Sequence, residues 1–390
     1  MQIGKLVQEG AITIKTGPFG TQLKAAEYQE TGIPVLNVKN LGYGTVNSAK
    51  LDHVGADTVE RLRVHLLQQG DIVFGRKGAV DRHAYIDNES DGWMQGSDCI
   101  RLRVETDDIN PRFLSYYFLT NQHKAFMISM CSHGTTMASL NQKILEQIDF
   151  PCLERNYQDK IVEILSKIDE KGRVNQKINE NLLQQASAVF NKLYDESPNQ
   201  QPFTSLIDVL GGGTPKTRNP DFWDGPIPFF TPKDVGTPYT FQTEKYITES
   251  GLTHCNSRLY QKDTTFVTAR GTVGKVSLAG TPMAMNQSCY ALASETVHPL
   301  LVYFYVLKAV ASLKHKASGA VFDAIVTRDF DGETINVLSD DDAKSVLAII
   351  KPMMEAIHNN SEENIRLAAL RDSLLPRLMS GGLDVSELDT

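Results

Sequence analysis

A ten-residue segment that starts at Gly211, GGGTPKTRNP, places hydroxyl and cationic side chains among turn-forming residues. Its side-chain donors are Thr214, Lys216, Thr217 and Arg218. Glycines let a backbone approach a ligand closely, so backbone N–H groups can join these side chains in binding phosphate oxygens. A looser version, GPFGTQLK, begins at Gly17. The pattern predicts loops that contact a phosphate-bearing ligand.

Two basic glycine turns extend the same chemistry. The runs LLQQGDIVFGRKGAV from Leu66 and LYQKDTTFVTARGTVG from Leu259 each indicate a turn, a buried strand and then a cation beside a glycine. Such Arg and Lys side chains can reach guanine O6 and N7 in a major groove. Solvated surface is an equal alternative for any one cation, whereas the repeat in both halves favours contact. The candidate nucleic-acid contacts are Lys24, Lys39, Arg76, Lys77, Thr214, Lys216, Thr217, Arg218, Lys233, Arg270 and Lys275.

The common catalytic templates are not matched. Residues 271–275, GTVGK, lack the spacing and the final hydroxyl of a phosphate-binding P-loop. Asp221 breaks the Asn-Pro-Pro-aromatic loop that Asn219 and Pro220 would begin, and the nine histidines form no His-x3-His pair. No Gly-x-Ser-x-Gly elbow occurs. These failures favour a binding module over an enzyme, with no catalytic residue and no metal site.

The composition sets wide limits. The 390 residues are 41% hydrophobic and 22% charged, which is ordinary for a chain with more than one core. The net charge of −8 argues against a chain coated with basic residues but permits local basic loops. The chain shows neither a signal core nor an apolar run long enough to span a bilayer, and its five cysteines form no Cys-x-x-Cys pair. We therefore expect a cytoplasmic protein with free, buried thiols.

An internal duplication organises the chain. A constant offset of 185 residues pairs Ile161 with Val346 and still holds for Leu193 and Leu378. The segments PRFLSYYFL and PLLVYFYVL correspond as buried helices. Each copy therefore consists of an α+β region followed by one long helix. The expected boundaries are globular domain 1 at 1–153, a helix region at 154–197, globular domain 2 at 198–338 and a second helix region at 339–390.

Each long helix carries an apolar stripe with three- and four-residue spacing. A helix of about 39 residues is a rod of roughly 60 Å, and its stripe needs a partner, for which its duplicate is the obvious choice. Asn156 and Ser339 are the expected N-caps, and Pro352 is expected to kink or interrupt the second helix. The expected seam consists of Ile161, Leu165, Ile168, Ile178, Leu182, Val346, Ile350, Met353, Leu367 and Leu378.

Asparagines occupy matched positions of the two long helices, at Asn175, Asn179, Asn360 and Asn364. Inside a seam they would set the register of the helix pair. Facing solvent they would have no such role. The sequence leaves both alternatives open.

The chain resembles the DNA-specificity subunits of type I restriction–modification enzymes over nearly its whole length. The motifs that carry the resemblance are GGGTPKTRNPDFWDGPIPFFTPKDV and TARGTVG in the second half, with GPFGTQLKAAEYQETGIPVLNVKNLG and GDIVFGRKG in the first. NQKILEQIDFPCLERNYQDKIVEILSKID and SLLPRLMSGGLDV also look like conserved regions of that family. The resemblance implies an α+β fold with two target-recognition domains separated by two long helices, which form an antiparallel coiled coil with a pseudo-twofold repeat.

The resemblance also implies a function and partners. Each domain would read one half of a bipartite double-stranded DNA site, and the helices would set the unread gap. Two DNA-methyltransferase subunits and two restriction/translocase subunits would dock on this chain, which would be non-catalytic. S-adenosylmethionine, ATP and Mg²⁺ would be held by those partners, and this chain would hold no cofactor. A coiled-coil adaptor that does not bind DNA is the main alternative, and a cryptic enzyme is a third.

Overall fold

The computed structural model describes residues 1–18, 20, 22–131, 138–316, 324–383 and 385. The chain divides into two compact units: unit 1 comprises Met1–Glu170 and Leu367–Thr390, and unit 2 comprises Lys171–Arg366. The domain boundaries expected from the sequence follow the two repeat copies, whereas the two units follow contacts. Those boundaries stay a prediction. In the described part of the chain, no helix combines the length and the apolar character needed to cross a membrane.

Unit 1 contains a globular region built on two sheets, together with the start of a long helix. Its strands are β1 (Ile12–Thr16), β2 (Tyr28–Gln29), β3 (Ile33–Leu36), β4 (Asp52–Val54), β5 (Ile72–Gly75), β6 (His83–Tyr85), β7 (Met94–Gln95) and β8 (Cys99–Val104). Its helices are α1 (Ile3–Gln8), α2 (Ala56–Arg61), α3 (Pro111–Tyr117), α4 (Asn121–Cys131), α5 (Gln142–Glu146) and the first part of α6 (Arg155–Glu196). One sheet has the antiparallel order β1-β8-β5-β6, and the other has the order β2-β4-β3-β7, in which β3 and β7 are parallel.

The central strand β5 is apolar on both faces because both faces are covered. Successive side chains of a strand point to opposite sides of its sheet. Ile72 and Phe74 belong to the main core of unit 1, whereas Val73 joins a second cluster with Leu36 and Cys99. The sequence IVFG therefore shows no polar alternation, as is typical of a strand buried on both sides.

Unit 2 repeats this plan. Its strands are β9 (Gln200–Pro202), β10 (Asp208–Gly211), β11 (Trp223–Phe230), β12 (Tyr239–Thr240), β13 (Tyr246–Ile247), β14 (Thr265–Thr268), β15 (Val276–Ala279), β16 (Ala284–Met285), β17 (Cys289–Ala293) and β18 (Thr334–Asn336). Its helices are the rest of α6, α7 (Glu249–Thr253), α8 (Pro299–Lys316), α9 (Thr327–Asp331) and most of α10 (Asp340–Met379), whose last part belongs to unit 1.

The sheet orders confirm the duplication. The order β10-β17-β14-β15 repeats β1-β8-β5-β6, with β12 added beside β15. The order β13-β11-β16 repeats β4-β3-β7, and its last pair is again parallel. The buried helices expected in the two copies are α3 and α8. The α+β fold class with an internal repeat is therefore correct.

The ends of the long helices test the expected caps. The Ser339 hydroxyl accepts a hydrogen bond from the Asp342 amide at 3.1 Å, so Ser339 caps α10 as expected. The cap expected at Asn156 is wrong, because α6 already begins at Arg155. Pro352 does not interrupt α10. Pro352 and Ala348, whose carbonyl loses its intrahelical donor there, are both exposed, so water can bind that carbonyl.

The two long helices pack antiparallel within unit 1. Ile161 of α6 shares a core with Leu378 of α10. Asp169 lies further along α6, and its partner Arg371 lies further back along α10, at 3.2 Å. The remaining predicted seam residues of this unit are the fully buried Leu165 and the half-buried Ile168 and Leu367.

The helices also pack antiparallel within unit 2, where the asparagines lie in the seam. Asn175 Nδ2 donates to Asn364 Oδ1 at 2.9 Å, and Asn360 Nδ2 donates to Asn179 Oδ1 at 2.9 Å. The solvent-facing alternative is therefore wrong for these four residues. The predicted apolar seam residues here are the buried Val346 and Ile350 and the half-buried Leu182 and Met353.

Ile178 was assigned to the seam incorrectly, since its side chain is 43% exposed. Adjacent residues of an α-helix are about 100° apart around the axis. Asn175 and Asn179 occupy the positions that face α10 in this turn, so Ile178 is rotated away from the partner helix. The apolar side chain suggested a core position that the register gives to the asparagines.

Candidate nucleic-acid interface

Three loops meet at the end of the main sheet in unit 2. We name them the glycine loop (211–218), the central turn (286–288) and the basic turn (269–271). The central turn follows β16 and leads into β17. Its backbone is fixed at both ends, because Asn286 N donates to Phe230 O at 3.0 Å and Cys289 N donates to Asn286 O at 3.3 Å.

The glycine loop packs directly on the central turn. A Cβ atom on Gly212 would lie 2.2 Å from the carbonyl oxygen of Asn286, so only glycine permits this approach. The Thr214 hydroxyl donates to the side-chain oxygen of Gln287. Further along the loop, Trp223 Nε1 donates to the carbonyl of Lys216 at 3.3 Å. The loop that carries the predicted cations is therefore held at two points.

The basic turn lies on the other side of the central turn. Ala269 N donates to Ser288 O at 2.8 Å, and Ile325 N donates to Ala269 O at 2.9 Å. Gly271 has a φ of +81°, which favours glycine and lets the chain reverse directly after Arg270. The Arg270 side chain is exposed.

Unit 1 builds the same surface from its own residues. A Cβ atom on Gly17 would lie 2.0 Å from the carbonyl oxygen of Gly96. Arg76 N donates to Asp98 O at 2.8 Å, and Leu140 N donates to Arg76 O at 2.8 Å. The backbone of Arg76 thus makes the same hydrogen bonds in unit 1 as the backbone of Ala269 makes in unit 2. The central turn of this unit is 96–98, and its basic turn is 76–78.

This correspondence assigns the cations pairwise. Lys77 is the structural counterpart of Arg270, and Gly78, with a φ of +76°, is the counterpart of Gly271. Lys39 and Lys233 also correspond. Each lies three residues beyond the end of a strand, and the last carbonyl of that strand accepts a hydrogen bond from the first backbone N–H of the central turn. The matched basic positions predicted from the sequence therefore occupy matched places in the fold.

Some of these cations already have acidic partners. Lys39 Nζ lies 2.8 Å from Asp52, and this hydrogen bond is the main cause of a lowered pKa for the Asp52 carboxyl. Lys233 Nζ lies 3.5 Å from Glu244, and Lys77 Nζ lies 3.9 Å from Asp98. These exposed pairs are weak and can exchange for phosphate. Among the predicted contact residues, all of which lie in the described part of the chain, those whose cationic groups have no side-chain partner are Lys24, Arg76, Lys216, Arg218, Arg270 and Lys275.

Two predicted contact residues, Lys24 and Lys275, have no described interaction with residues of the three loops. Lys24 begins the 3-10 turn Ala25–Glu27, and its backbone N–H donates to Glu27 at 2.8 Å. Lys275 lies after the basic turn, where its backbone N–H donates to the Thr268 hydroxyl at 2.9 Å. Thr217 is exposed within the glycine loop. The role of every predicted residue in nucleic-acid contact stays a prediction.

Sequence reasoning missed the side chains of the central turn. The four residues Gly96–Cys99 and Asn286–Cys289 echo one another, but only the sheet register shows that they lie between the other two loops. Gln287 is exposed, and the Asp98 side chain is 53% exposed. A signal was present, because a polar turn precedes the cysteine strand in both copies.

The cysteines that follow these turns belong to the core. Cys99 and Cys289 are buried, and burial raises the pKa of both thiols to about 12. They are therefore protonated packing residues. All five cysteines are free, but the expectation that all are buried is wrong, because Cys152 is exposed and Cys255 is half-buried.

These features define a duplicated fold with a matched surface of three loops in each copy. The two globular regions share one fold, and each carries a surface that consists of a glycine loop, a central turn and a basic turn. A family model described as the type I restriction modification DNA specificity domain matches residues 12–184 and, a second time, residues 203–367. The chain therefore belongs to the type I restriction–modification DNA-specificity family, whose role is DNA recognition within a complex with other subunits.

Individual relatives agree with this assignment. The chain is 20% identical to the HindI specificity subunit of Haemophilus influenzae, across 88% of this chain and 94% of that protein. It is 27% identical to the MjaIX specificity subunit of Methanocaldococcus jannaschii, but over 40% of this chain and only 38% of that protein. The crystal structure of a type I restriction–modification S subunit from M. genitalium shares the fold, with a TM-score of 0.57 and 14% identity, across 99% of this chain and 96% of that one.

Proposed function

We propose that unit 1 and unit 2 each read one half of a bipartite double-stranded DNA target. The observation that carries the proposal is the surface of three loops that recurs in both units with matched cations. Lys77 and Arg270 project from basic turns whose glycines have positive φ angles, so the backbone of each turn can approach a phosphate closely. Two modest binding surfaces on one chain gain affinity together when their spacing matches that of the two half-sites.

The long helices supply the other half of the proposal. We infer that α6 and α10 fix the distance between the two half-sites, because their register is set by interhelical hydrogen bonds. Asn179 takes part in three of these. Its Nδ2 donates to Ile357 O at 3.4 Å and to Ser361 Oγ at 3.2 Å, and its Oδ1 accepts from Asn360 Nδ2 at 2.9 Å. Polar pairs inside an apolar seam lose their partners when one helix slides past the other.

The assembly around this chain is also a proposal. Two methyltransferase subunits and two restriction/translocase subunits would bind it, and the catalytic steps would occur on those partners. S-adenosylmethionine, ATP and Mg²⁺ would be held there, and this chain would act in the cytoplasm as a non-catalytic subunit. HindI, MjaIX and the EcoR124I/EcoR124II relative, which is 30% identical over 26% of this chain, are all named specificity subunits.

The experiment tests recognition in the complete complex. The chain is produced with its methyltransferase partner in a host that lacks adenine methylation, and the methylated positions are mapped across the genome. We expect one bipartite motif with a gap of fixed length. Methylation without sequence preference would contradict the proposal.

A charge-reversal pair separates DNA binding from adaptor function. The variant Lys77→Glu with Arg270→Glu should weaken duplex binding by the methyltransferase complex. In a plot of the logarithm of affinity against the logarithm of salt concentration, the slope should become shallower by about one unit for each phosphate that the variant no longer neutralises. The matched control, Lys5→Glu with Lys344→Glu, reverses one exposed lysine in each unit away from the three loops. An adaptor that does not bind DNA predicts equal behaviour of the two pairs.

A further inference from the structure

We propose that the central turn reads base edges, with Gln287 recognising adenine in one half-site and Asp98 recognising cytosine in the other. The inference rests on the proposed function, because it assigns bases to surfaces that must first bind DNA. It goes further by naming the residues that make the two half-sites differ.

The position of the turn favours base contact over phosphate contact. In unit 2 the turn lies between the glycine loop and the basic turn, which carry Arg218 and Arg270. Cationic loops of this kind bind phosphate oxygens and so fix the position of a protein on the duplex. A polar side chain between them is directed at the bases.

Backbone hydrogen bonds fix the turn before DNA arrives. Ser288 N donates to Asn286 Oδ1 at 3.0 Å, and Ser288 O accepts from Ala269 N at 2.8 Å. The side chains of Gln287 and, in the turn of unit 1, of Asp98 are exposed, so both can reach a ligand. A side chain on an ordered backbone loses less entropy on binding than one on a flexible loop.

Gln287 has the chemistry of an adenine reader. A glutamine amide pairs with adenine through two hydrogen bonds, accepting from N6–H and donating to N7. The Thr214 hydroxyl donates to Gln287 Oε1, which holds the amide beside the glycine loop. That oxygen has a second lone pair, and both N–H donors of the amide have no described partner.

Asp98 has the opposite chemistry one position further along the central turn of unit 1. Its carboxylate only accepts hydrogen bonds, and cytosine N4 is a donor in the major groove. Lys77 Nζ, at 3.9 Å, offsets part of the charge that would otherwise repel phosphates. The counterpart of Asp98 in unit 2 is Ser288, and the counterpart of Gln287 in unit 1 is Ser97. One backbone therefore presents an amide in one domain and a carboxylate in the other.

The test changes Gln287 in the full methyltransferase complex and maps methylation genome-wide. Gln287→Ser gives unit 2 the side chain that unit 1 has at this position. We expect one position of one half-site to accept bases other than adenine, with discrimination reduced by about tenfold to a hundredfold, and the other half-site unchanged. The control is Gln261→Ser, an exposed glutamine before β14, at the end of that strand opposite to Arg270. An unaltered motif in Gln287→Ser overturns the inference.

Two further outcomes are informative. If the wild-type complex methylates without sequence preference, the proposed function fails and the base assignment falls with it. If Gln287→Ser does not assemble, Gln287→Glu keeps the size and shape of the side chain and replaces its donors by an acceptor. We expect Gln287→Glu to bind duplexes with adenine at the affected position at least about tenfold more weakly than the wild type. Equal affinity overturns the inference.

Discussion

The two units join their globular regions to the long helices by different chemistry at equivalent positions. In unit 1, Asp169 of α6 accepts from Tyr116 Oη at 2.8 Å and lies 3.2 Å from Arg371 of α10. The offset of 185 residues maps Asp169 to Met354 and Arg371 to Ala186 in unit 2. Both of those residues are fully buried in an apolar core.

The apolar version in unit 2 is built on aromatic packing. Phe190 stacks on Phe304 with ring centroids 5.2 Å apart, and both rings share the core of Met354. The ionic version in unit 1 adds a cation–π contact, in which the Arg112 guanidinium lies 4.7 Å from the ring centroid of Tyr116. A duplicated backbone thus accepts either solution, because each one fills the junction and satisfies its polar groups.

This difference makes the two units respond differently to the same perturbation. The chain has two tryptophans, Trp93 in unit 1 and Trp223 in unit 2. Replacing either one by phenylalanine leaves a fluorescence probe for the other unit. Urea unfolding should be followed with both probes, because a chain with two units need not unfold in one step.

The largest effect is expected from Met354→Ala. Truncating a fully buried methionine removes apolar packing and leaves a cavity, which should lower the free energy of unfolding of unit 2 by about 2–5 kcal/mol. The Trp223 transition should shift to lower urea, and the Trp93 transition should stay in place. Met353→Ala is the matched control, since Met353 is only half-buried, and its shift should be smaller. Equal shifts for both variants would remove the special role of the apolar junction.

Acid should act more strongly on unit 1. Burial lowers the pKa of His123 to about 3 and holds the pKa of His83 well below its usual value. The unfolded chain binds a proton at each histidine below about pH 6.5, and the folded chain does not, so stability falls as the pH drops from 6.5 towards the folded values. Each buried histidine should cost about 1.4 kcal/mol per pH unit within that window.

The probes and one variant check this acid effect. The Trp93 transition should move more than the Trp223 transition between neutral pH and pH about 5.5, a value chosen to lie within the titration window. His123→Leu removes one titrating group from the core near Phe118 and should flatten the Trp93 response. A Trp93 transition with the same pH dependence in both chains would contradict the assignment of the proton to His123.

How much of the structure the sequence predicts depends on how far apart along the chain the interacting residues lie. The long helices and the basic turns depend on local spacing, and the duplication shows as a constant offset of 185 residues, so each was visible in the sequence. Ile178 was misplaced because residue type suggested a core position, whereas helical register gave that position to Asn179. The Asp169–Arg371 contact joins residues about 200 positions apart, and no local pattern marks it.

The central turn shows the same limit at the candidate site. Its residues were matched between the two copies, but a polar turn before a strand is ordinary surface until the sheet order places it between two cationic loops. Strand register decides that placement, and register depends on pairing across the whole sheet.

The smallest effect is expected at the ionic junction of unit 1. The Asp169 side chain is 27% exposed, so solvent screens its attraction to Arg371 and Arg112. Asp169→Asn removes the charge but keeps an acceptor for Tyr116, and it should lower the stability of unit 1 by about 1 kcal/mol. The wild-type Trp93 transition should weaken with added salt through screening, and that dependence should be reduced in the variant. Asp372→Asn is the matched control, because Asp372 also contacts Arg371 at 2.9 Å but is 64% exposed. If both variants respond to salt alike, Asp169 is one more surface charge, and the difference between the two junctions is one of packing alone.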